Sequence, residues 1–332
     1  MRPYYKDEQV TLFCGDALKT LRELPSDSVN CIATSPPFYQ LRDYNMPGQY
    51  GLEDSPVQYV DRMREVFAEA RRVLADDGTL WLNLGDSYSG SWGNQSRRPD
   101  RGGQRPVATG MIQQVGDGRY PRQRTRTGAV RPGAPPAKNL YGIPWKVAFA
   151  LQKDGWILRN DIIWYKPNGM PENVRDRLGN RHEHLFMLAK KPHYYFDLDA
   201  IRQPYQGDRS PSRRARRGGV RPNSAPGPFD PYASKGRNPG DVWQINIRPS
   251  KLRHFAMWPI DIPTWIIKAG CPKGGVVLDP FSGAGTTGIA ARTLGRRYIG
   301  IDLNPAYLDV TKARLAQTVL DLDGRAPGVT GC

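Results

Sequence analysis

Two runs of residues in this chain have types and spacing suited to chemistry. Near the front, Thr34-Ser35-Pro36-Pro37-Phe38 offers a hydroxyl and main-chain carbonyls on a backbone that two prolines hold out of a helix. Acceptors of this kind, aimed at the hydrogens of a ring-attached amino group, localise a nitrogen lone pair that is otherwise delocalised into the ring. Ser35 and the Pro36 carbonyl would be those acceptors, and Phe38 a wall on which a planar ring can stack. Such a site needs no triad, because alignment at near-attack distance supplies much of the acceleration.

Near the back, Asp279-Pro280-Phe281-Ser282-Gly283-Ala284-Gly285-Thr286-Thr287-Gly288 contains a literal G-x-G-x-x-G, and Asp302 follows about twenty residues on, placed to accept ribose hydroxyls. Taken alone, the pattern suits a dinucleotide and a nicotinamide (NAD)-dependent oxidoreductase. Asp279 points elsewhere. A carboxylate directly before the turn repels a pyrophosphate but suits a ligand bearing an ammonium and a sulfonium, and S-adenosyl-L-methionine is such a ligand.

Each run must be carried by a strand. Residues 29–33 and 276–278 are apolar and end in the two turns, which places both at the carboxyl edge of a sheet. Further strands are expected at 10–14, 79–84, 161–165, 184–189 and 298–302. Helices are expected from 16 to 24, over 57–75 with its apolar positions at Val57, Val60, Met63, Val66, Phe67, Ala70, Val73 and Leu74, from 144 to 153, and over 263–269, 286–294 and 305–320. Asp76-Asp77-Gly78 reads as a helix stop. Strand, helix, strand in alternation predicts an α/β protein with a mostly parallel sheet.

Asp279-Pro280-Phe281-x-Gly283-x-Gly285-Thr286, with Tyr298-Ile299-Gly300-Ile301-Asp302 downstream, resembles the cofactor motifs of DNA amino-methyltransferases. A Ser-Pro-Pro motif upstream of the cofactor motif marks the beta group of that family. The resemblance implies a Rossmann-like S-adenosylmethionine-dependent methyltransferase sheet, circularly permuted, with basic inserts. It implies a catalytic Ser35, Pro36, Pro37 and Phe38. Its cofactor-binding set is Asp16, Thr34, Phe255, Asp279, Pro280, Phe281, Gly283, Gly285, Thr286, Asp302 and Asn304, with Asp16 beside the adenine ring and Phe255 on the methionine side. Ser-Pro-Pro-Phe in this family is associated with cytosine N4, and Asp- or Asn-Pro-Pro-Tyr/Phe with adenine N6. The implied substrate is double-stranded DNA with the target base swung out of the stack, and the implied partner is a cognate restriction endonuclease. Methylation at cytosine C5 is set aside, because it needs a cysteine nucleophile in Pro-Cys and this chain has only the reversed Cys271-Pro272.

The formal net charge is +16, and its placement says more than its size. Residues 96–138 hold ten Lys and Arg against two acidic groups, residues 202–253 hold twelve against three, and the remainder is close to neutral. Such segments suit a polyanion. Residues 195–250 correspond to the family's target-recognition region, where Arg213, Arg214, Arg216, Arg217 and Arg221 are candidate phosphate or guanine contacts. A noncatalytic arginine-rich nucleic-acid binder is the third reading. The expected domains are a catalytic half at 1–86, a basic low-complexity insert at 87–138, the methyltransferase domain continued at 139–200, a target-recognition region at 201–250, a cofactor half at 251–322 and a tail at 323–332.

With no apolar stretch of signal or membrane length, a cytoplasmic protein is expected, working as a monomer or homodimer. Cys14, Cys31, Cys271 and Cys332 lack metal-type pairing and read as structural thiols, Cys14 and Cys31 inside buried strands. His182-Glu183-His184 lacks the spacing of a zinc helix and reads as strand-edge or family-structural residues, so no metal is expected. Lys166-Pro167-Asn168 follows a strand and reads first as a turn and second as a substrate contact, and Trp145, Trp156, Trp164 and Trp243 read as core or interface aromatics.

Overall fold

The computed structural model describes residues 2–90, 132–204, 236–248 and 258–323. Its strands are β1 (Tyr5–Lys6), β2 (Val10–Cys14), β3 (Val29–Thr34), β4 (Leu74–Leu84), β5 (Ile157–Tyr165), β6 (His182–Ala189), β7 (Val242–Gln244), β8 (Val276–Asp279) and β9 (Arg297–Asp302). Its helices are α1 (Ala17–Glu23), α2 (Pro56–Val73), α3 (Ile143–Lys153), α4 (Asp261–Gly270), α5 (Thr286–Thr293) and α6 (Pro305–Asp323). All nine strands form one sheet in the order β1-β2-β9-β8-β3-β4-β6-β5-β7.

The middle of the sheet, β2-β9-β8-β3-β4, is parallel as expected. The remainder is mixed. β1 joins antiparallel, and β6 runs antiparallel to both β4 and β5 because β5 and β6 are successive strands of a hairpin. Within β3 and β8, in register at Cys31↔Val277 and Ile32↔Leu278, alternate side chains serve opposite faces. Ile32 and Leu278 join a core under α1, α2 and α3, while Cys31, Ala33 and Val277 join one under α4, α5 and α6. A strand buried on both faces is apolar throughout, which is why these segments read as continuous apolar runs.

Several expectations need correction. Asp76-Asp77-Gly78 does not separate helix from strand: α2 passes at Leu74 directly into β4, and β3 pairs with Leu74 and then with Thr79, so the acidic triplet is a bulge inside the strand. The Arg72 and Val73 carbonyls accept from the backbone of Asp27 and Ser28, which holds the helix end onto β3 without a loop. Val57 is exposed, since the buried face of α2 runs through Tyr59, Met63, Phe67 and Ala70. His182 and Glu183, at the start of β6, pair only with β5, whereas from His184 onward β6 is paired on both sides, so the strand-edge reading holds for the first two residues and not for His184. Cys14 ends β2 and is exposed, while Cys31 and Cys271 are buried. The two ends of the 87–138 segment meet: Ser89 N–H donates to the Asn139 carbonyl and Lys138 N–H to the Ser89 carbonyl, each at 2.8 Å. Phe255, Arg213, Arg214, Arg216, Arg217, Arg221, Cys332 and most of both basic tracts lie outside the described residues.

Candidate active site

β3 and β8 are neighbours, so their carboxyl ends, 245 residues apart in the chain, meet at one edge. The Thr34 hydroxyl donates to Asp279 Oδ1 at 2.7 Å, the Thr287 hydroxyl to Oδ2 at 2.7 Å and the Phe281 N–H to Oδ1 at 3.1 Å. Asp279 thus ties the Ser-Pro-Pro turn, the glycine turn and the start of α5 together. Burial raises its carboxyl to about 6, opposed by the Thr287, Thr34 and Phe281 bonds.

The glycine turn needs its glycines. Gly285 takes φ +75 as it opens α5, and a Cβ there would fall 2.3 Å from Thr311 Cγ2. A Cβ on Gly288 would fall 2.6 Å from the Tyr298 ring, the close approach of helix to strand that the third glycine of the motif permits. α6 backs the turn: the Thr311 hydroxyl donates to the Gly283 carbonyl at 3.0 Å, and the half-buried Arg314 guanidinium donates to Thr286 Oγ1 and to the Ala284 carbonyl. Asp302 Oδ2 accepts from Gly283 N–H and Oδ1 from Asn304 N–H, each at 2.8 Å, which fixes the carboxylate at the pocket wall with further lone pairs free. Burial raises Asp302 to about 6, against those two backbone bonds. Asn304 also accepts from Ala306 N–H at the head of α6.

Of these groups Asp279, Phe281, Gly283, Ala284, Thr286, Asp302 and Asn304 line one cavity of about 290 Å³, whereas Thr34 and Gly285, expected to touch the cofactor, are not in its lining, and the Thr34 hydroxyl serves Asp279 instead. Asp16, Tyr50, Phe281, Gly283, Asp302 and Asn304 line it from the β2, β9 and β8 side; Ser35, Pro36, Pro37 and Phe38, after β3, lie between; Trp164, Lys166 and Glu183 line it from the β5 and β6 side, with Ile247 and Trp258 also in the lining. Asp16 caps α1 by accepting from Lys19 N–H and accepts the Tyr50 hydroxyl at 3.0 Å, while the Tyr50 ring meets Phe281 edge-on at 5.4 Å. A flat heterocycle fits beside this aromatic and carboxylate wall. A ribose fits against Asp302, and the glycine backbone admits a close approach, so the residues present suit S-adenosylmethionine.

Between the two sides the Ser35 hydroxyl donates to Asn83 Oδ1 at 2.9 Å, and the Asn83 amide donates to the His184 carbonyl at 3.1 Å. With its own proton spent on Asn83, Ser35 presents only lone pairs to a ligand. The Tyr59 hydroxyl donates to the Pro37 carbonyl at 2.9 Å and fixes the turn from below. Phe38 packs over Gly85, where a Cβ would fall 2.5 Å from the ring. On the β5 and β6 side Lys166 pairs with Glu183 and lies 4.4 Å over the Trp164 ring.

Sequence reasoning missed Asn83, Tyr50, Glu183, Thr311 and Arg314. Asn83 alone carried a signal, as a polar residue in the apolar run of β4, now seen to be buried. Asp86, at the end of that run, accepts from Gly142 and Ile143 N–H at 2.9 and 3.2 Å and caps α3 from a distance. Burial raises the Cys271 thiol to about 12, which denies it a nucleophile's role. Among the described residues no group of His, Cys, Asp and Glu is placed to hold a metal, and His184 Nδ1 instead pairs with Asp161 at 2.9 Å.

The fold is a mixed α/β sheet with a ligand cavity at the carboxyl edge of its parallel strands, and comparison with known proteins identifies the family. The N6_N4_Mtase family, described as DNA methylase, matches residues 29–313, and the chain belongs to this family of S-adenosylmethionine-dependent DNA amino-methyltransferases. It is 43% identical over 92% of its length to 87% of the type II methyltransferase M.Cfr9I of Citrobacter freundii, and 38% identical over 92% of its length to 90% of M.SmaI of Serratia marcescens. Its fold is similar to that of the PvuII DNA methyltransferase (cytosine-N4-specific), with a TM-score of 0.62 at 18% identity over 98% of this chain and 91% of that one. It is also similar to TTHA0409 of Thermus thermophilus, a putative DNA modification methylase complexed with S-adenosyl-L-methionine, with a TM-score of 0.56 at 23% identity over 94% and 96% of the two chains. No described helix is long and apolar enough to cross a membrane.

Proposed function

We propose that this chain methylates the exocyclic N4 amino group of cytosine in duplex DNA, at a specific site, by direct in-line transfer to a base swung out of the helix. The observation that supports it most is the meeting of Ser35 and Gly283 in one cavity, stitched by the Thr34 to Asp279 bond. In the permuted order of the beta group, the catalytic turn precedes the cofactor turn along the chain while the sheet keeps the two adjacent.

S-adenosylmethionine supplies an activated methyl on a sulfonium. The chain's residues hold and aim the reactants. The glycine turn with Asp302 and Asn304 grips the ribose side, Asp16 with Tyr50 and Phe281 the adenine side, and Asp279 sets the turn geometry while adding negative charge beneath a cationic ligand. Phe38 stacks on the extruded base. The Ser35 oxygen and the Pro36 carbonyl accept the two amino hydrogens, so nitrogen turns tetrahedral with its lone pair toward the methyl. The methylated ammonium is acidic enough to lose its proton without a strong base. Arg213, Arg214, Arg216, Arg217 and Arg221 contact phosphates or guanines from the target-recognition region at 201–250, and residues 87–138 act as a second clamp. A restriction endonuclease cutting the same site is the expected partner, because the type II relatives carry that name.

The test is to digest DNA treated with the full chain and S-adenosylmethionine to nucleosides and weigh them. N4-methyl-2′-deoxycytidine, separated from its 5-methyl isomer by chromatography against standards, is the expected product. N6-methyl-2′-deoxyadenosine would overturn the base assignment while leaving amino-group transfer intact, and an unmodified digest would overturn the whole reading.

A further inference from the structure

The connection between β5 and β6, residues 166–181, leaves the sheet at the edge that carries the cavity, since β5 runs in the direction of β4. Its first residue, Lys166, and Glu183 just beyond its end both line the cavity. The start of this connection is held rigidly. Gly169 N–H donates to the Lys166 carbonyl at 3.1 Å, Lys166 N–H to the Arg181 carbonyl at 2.9 Å, and the Arg181 guanidinium to the Gly169 carbonyl at 2.7 Å. The Asn168 side chain donates to the Ile247 carbonyl and accepts from Ile247 N–H, each at 2.8 Å.

Directly after this pinned turn the Met170 side chain is 87% exposed, and Leu178 further along is 91% exposed; these are the most exposed large apolar side chains among the described residues. Tyr165 and Ile247 at the foot of the loop are also exposed. The loop carries Lys166, Arg175, Arg177 and Arg181 against Glu172 and Asp176. A pinned turn that starts at the cavity-lining Lys166 and holds a bare apolar side chain in water four residues on, in a loop whose basic residues outnumber its acidic ones even though Lys166 and Arg177 pair with Glu183 and Glu172, matches what a bent or opened duplex requires: a filler for a vacated stack and a basic flank for the phosphates.

We infer that Met170 is a wedge that enters the duplex beside the target nucleotide and fills the space its base leaves on swinging into the Ser35 pocket. This rests on the reading of the site as one that takes an extruded base. Unstacking carries a cost that an inserted apolar side chain partly offsets, and an unbranched, polarisable methionine adapts to the irregular gap. Leu178 is as exposed but lies beyond the pinned turn, near the ends of the 87–138 segment, where Lys138 pairs with Asp176 and Arg177 lies 4.0 Å over Tyr88. It serves as the control.

The methylated sequence is first mapped in DNA from cells that express the full chain. Two duplexes carrying it are then made, one with the target base normally paired and one with an abasic position opposite. Single-turnover transfer is measured for the wild type, Met170→Ala and Leu178→Ala. Met170→Ala should slow transfer about tenfold on the paired duplex and come within about threefold of wild type on the abasic one, where less stacking and pairing oppose extrusion. Leu178→Ala should stay near wild type on both. Equal slowing on both duplexes, no slowing, a larger loss in Leu178→Ala, or a changed oligomeric mass in Met170→Ala, which would assign the side chain to a protein interface, each overturns the wedge. Failure of the wild type to methylate either duplex overturns the base-extrusion reading itself.

Discussion

Thr34 and Thr287 each spend their hydroxyl proton on Asp279, and Ser35 spends its own on Asn83. The consequence is a division of labour between adjacent hydroxyls: one binds the halves of the site together and the next presents lone pairs. Ser35→Ala should therefore lower transfer about a hundredfold, the scale of one lost transition-state hydrogen bond, while cofactor affinity measured by calorimetry is unchanged. Asp279→Ala strands two buried threonine hydroxyls and should cost roughly 2–4 kcal/mol of stability in a denaturant titration, with cofactor binding lost. Burial holds Asp279 and Asp302 to about 6, so both are ionised at neutral pH and neutralised as pH falls through that value. Affinity for the cationic cofactor should drop about tenfold or more from pH 7 to pH 5. Stability runs the other way. A folded pKa above the unfolded one stabilises below about 4 and loses that contribution as pH rises through about 6; the melting shift induced by cofactor should nevertheless shrink at pH 5, because binding is weaker there.

At the scale of elements, the glycine turn is braced by α6, whose Thr311 leaves no room for a side chain at Gly285. Gly285→Ala meets both that wall and a left-handed backbone, and should cost roughly 2–4 kcal/mol, read as a lower denaturant midpoint with an unchanged slope. β3, β8 and β9 were legible in the sequence because strands covered on both faces are apolar through their middles, at 31–33, 276–278 and 298–301, and the turns that β3 and β8 feed carry Pro and Gly that nothing else explains. The amphipathic stripe of α2 was legible too. What escaped was nonlocal. Asp76-Asp77-Gly78 has the composition of a stop, yet the pairing of Leu74 with Val29 overrides it and turns it into a bulge. Asn83 and Thr311 matter only through partners far off in the chain, and Asp86 caps a helix 57 residues away from it, to Ile143. Cys14 lies in an apolar run, but as the last residue of β2 it emerges at the open edge. Met170 and Leu178 carry no motif, and their exposure is visible only once the loop is built.

For the whole molecule, the charge is concentrated in two tracts, and the folded sheet between them is close to neutral. Affinity for DNA should then fall steeply with salt; neutralising about six phosphates gives a slope near −5 in log affinity against log salt, and a flat response in a filter-binding or anisotropy titration would remove the tracts from the interface. The sheet order has a different implication. The strand that bears Ser35 lies between β4 and β8, and β8 and β9 are made last of all the strands. During synthesis, then, a ribosome carries the Ser35 turn long before the Gly283 turn exists. On the function proposed above, the nascent chain should be inert until β8 slots into the gap beside β3, and activity should switch on late, with closure of a contact that spans most of the polypeptide.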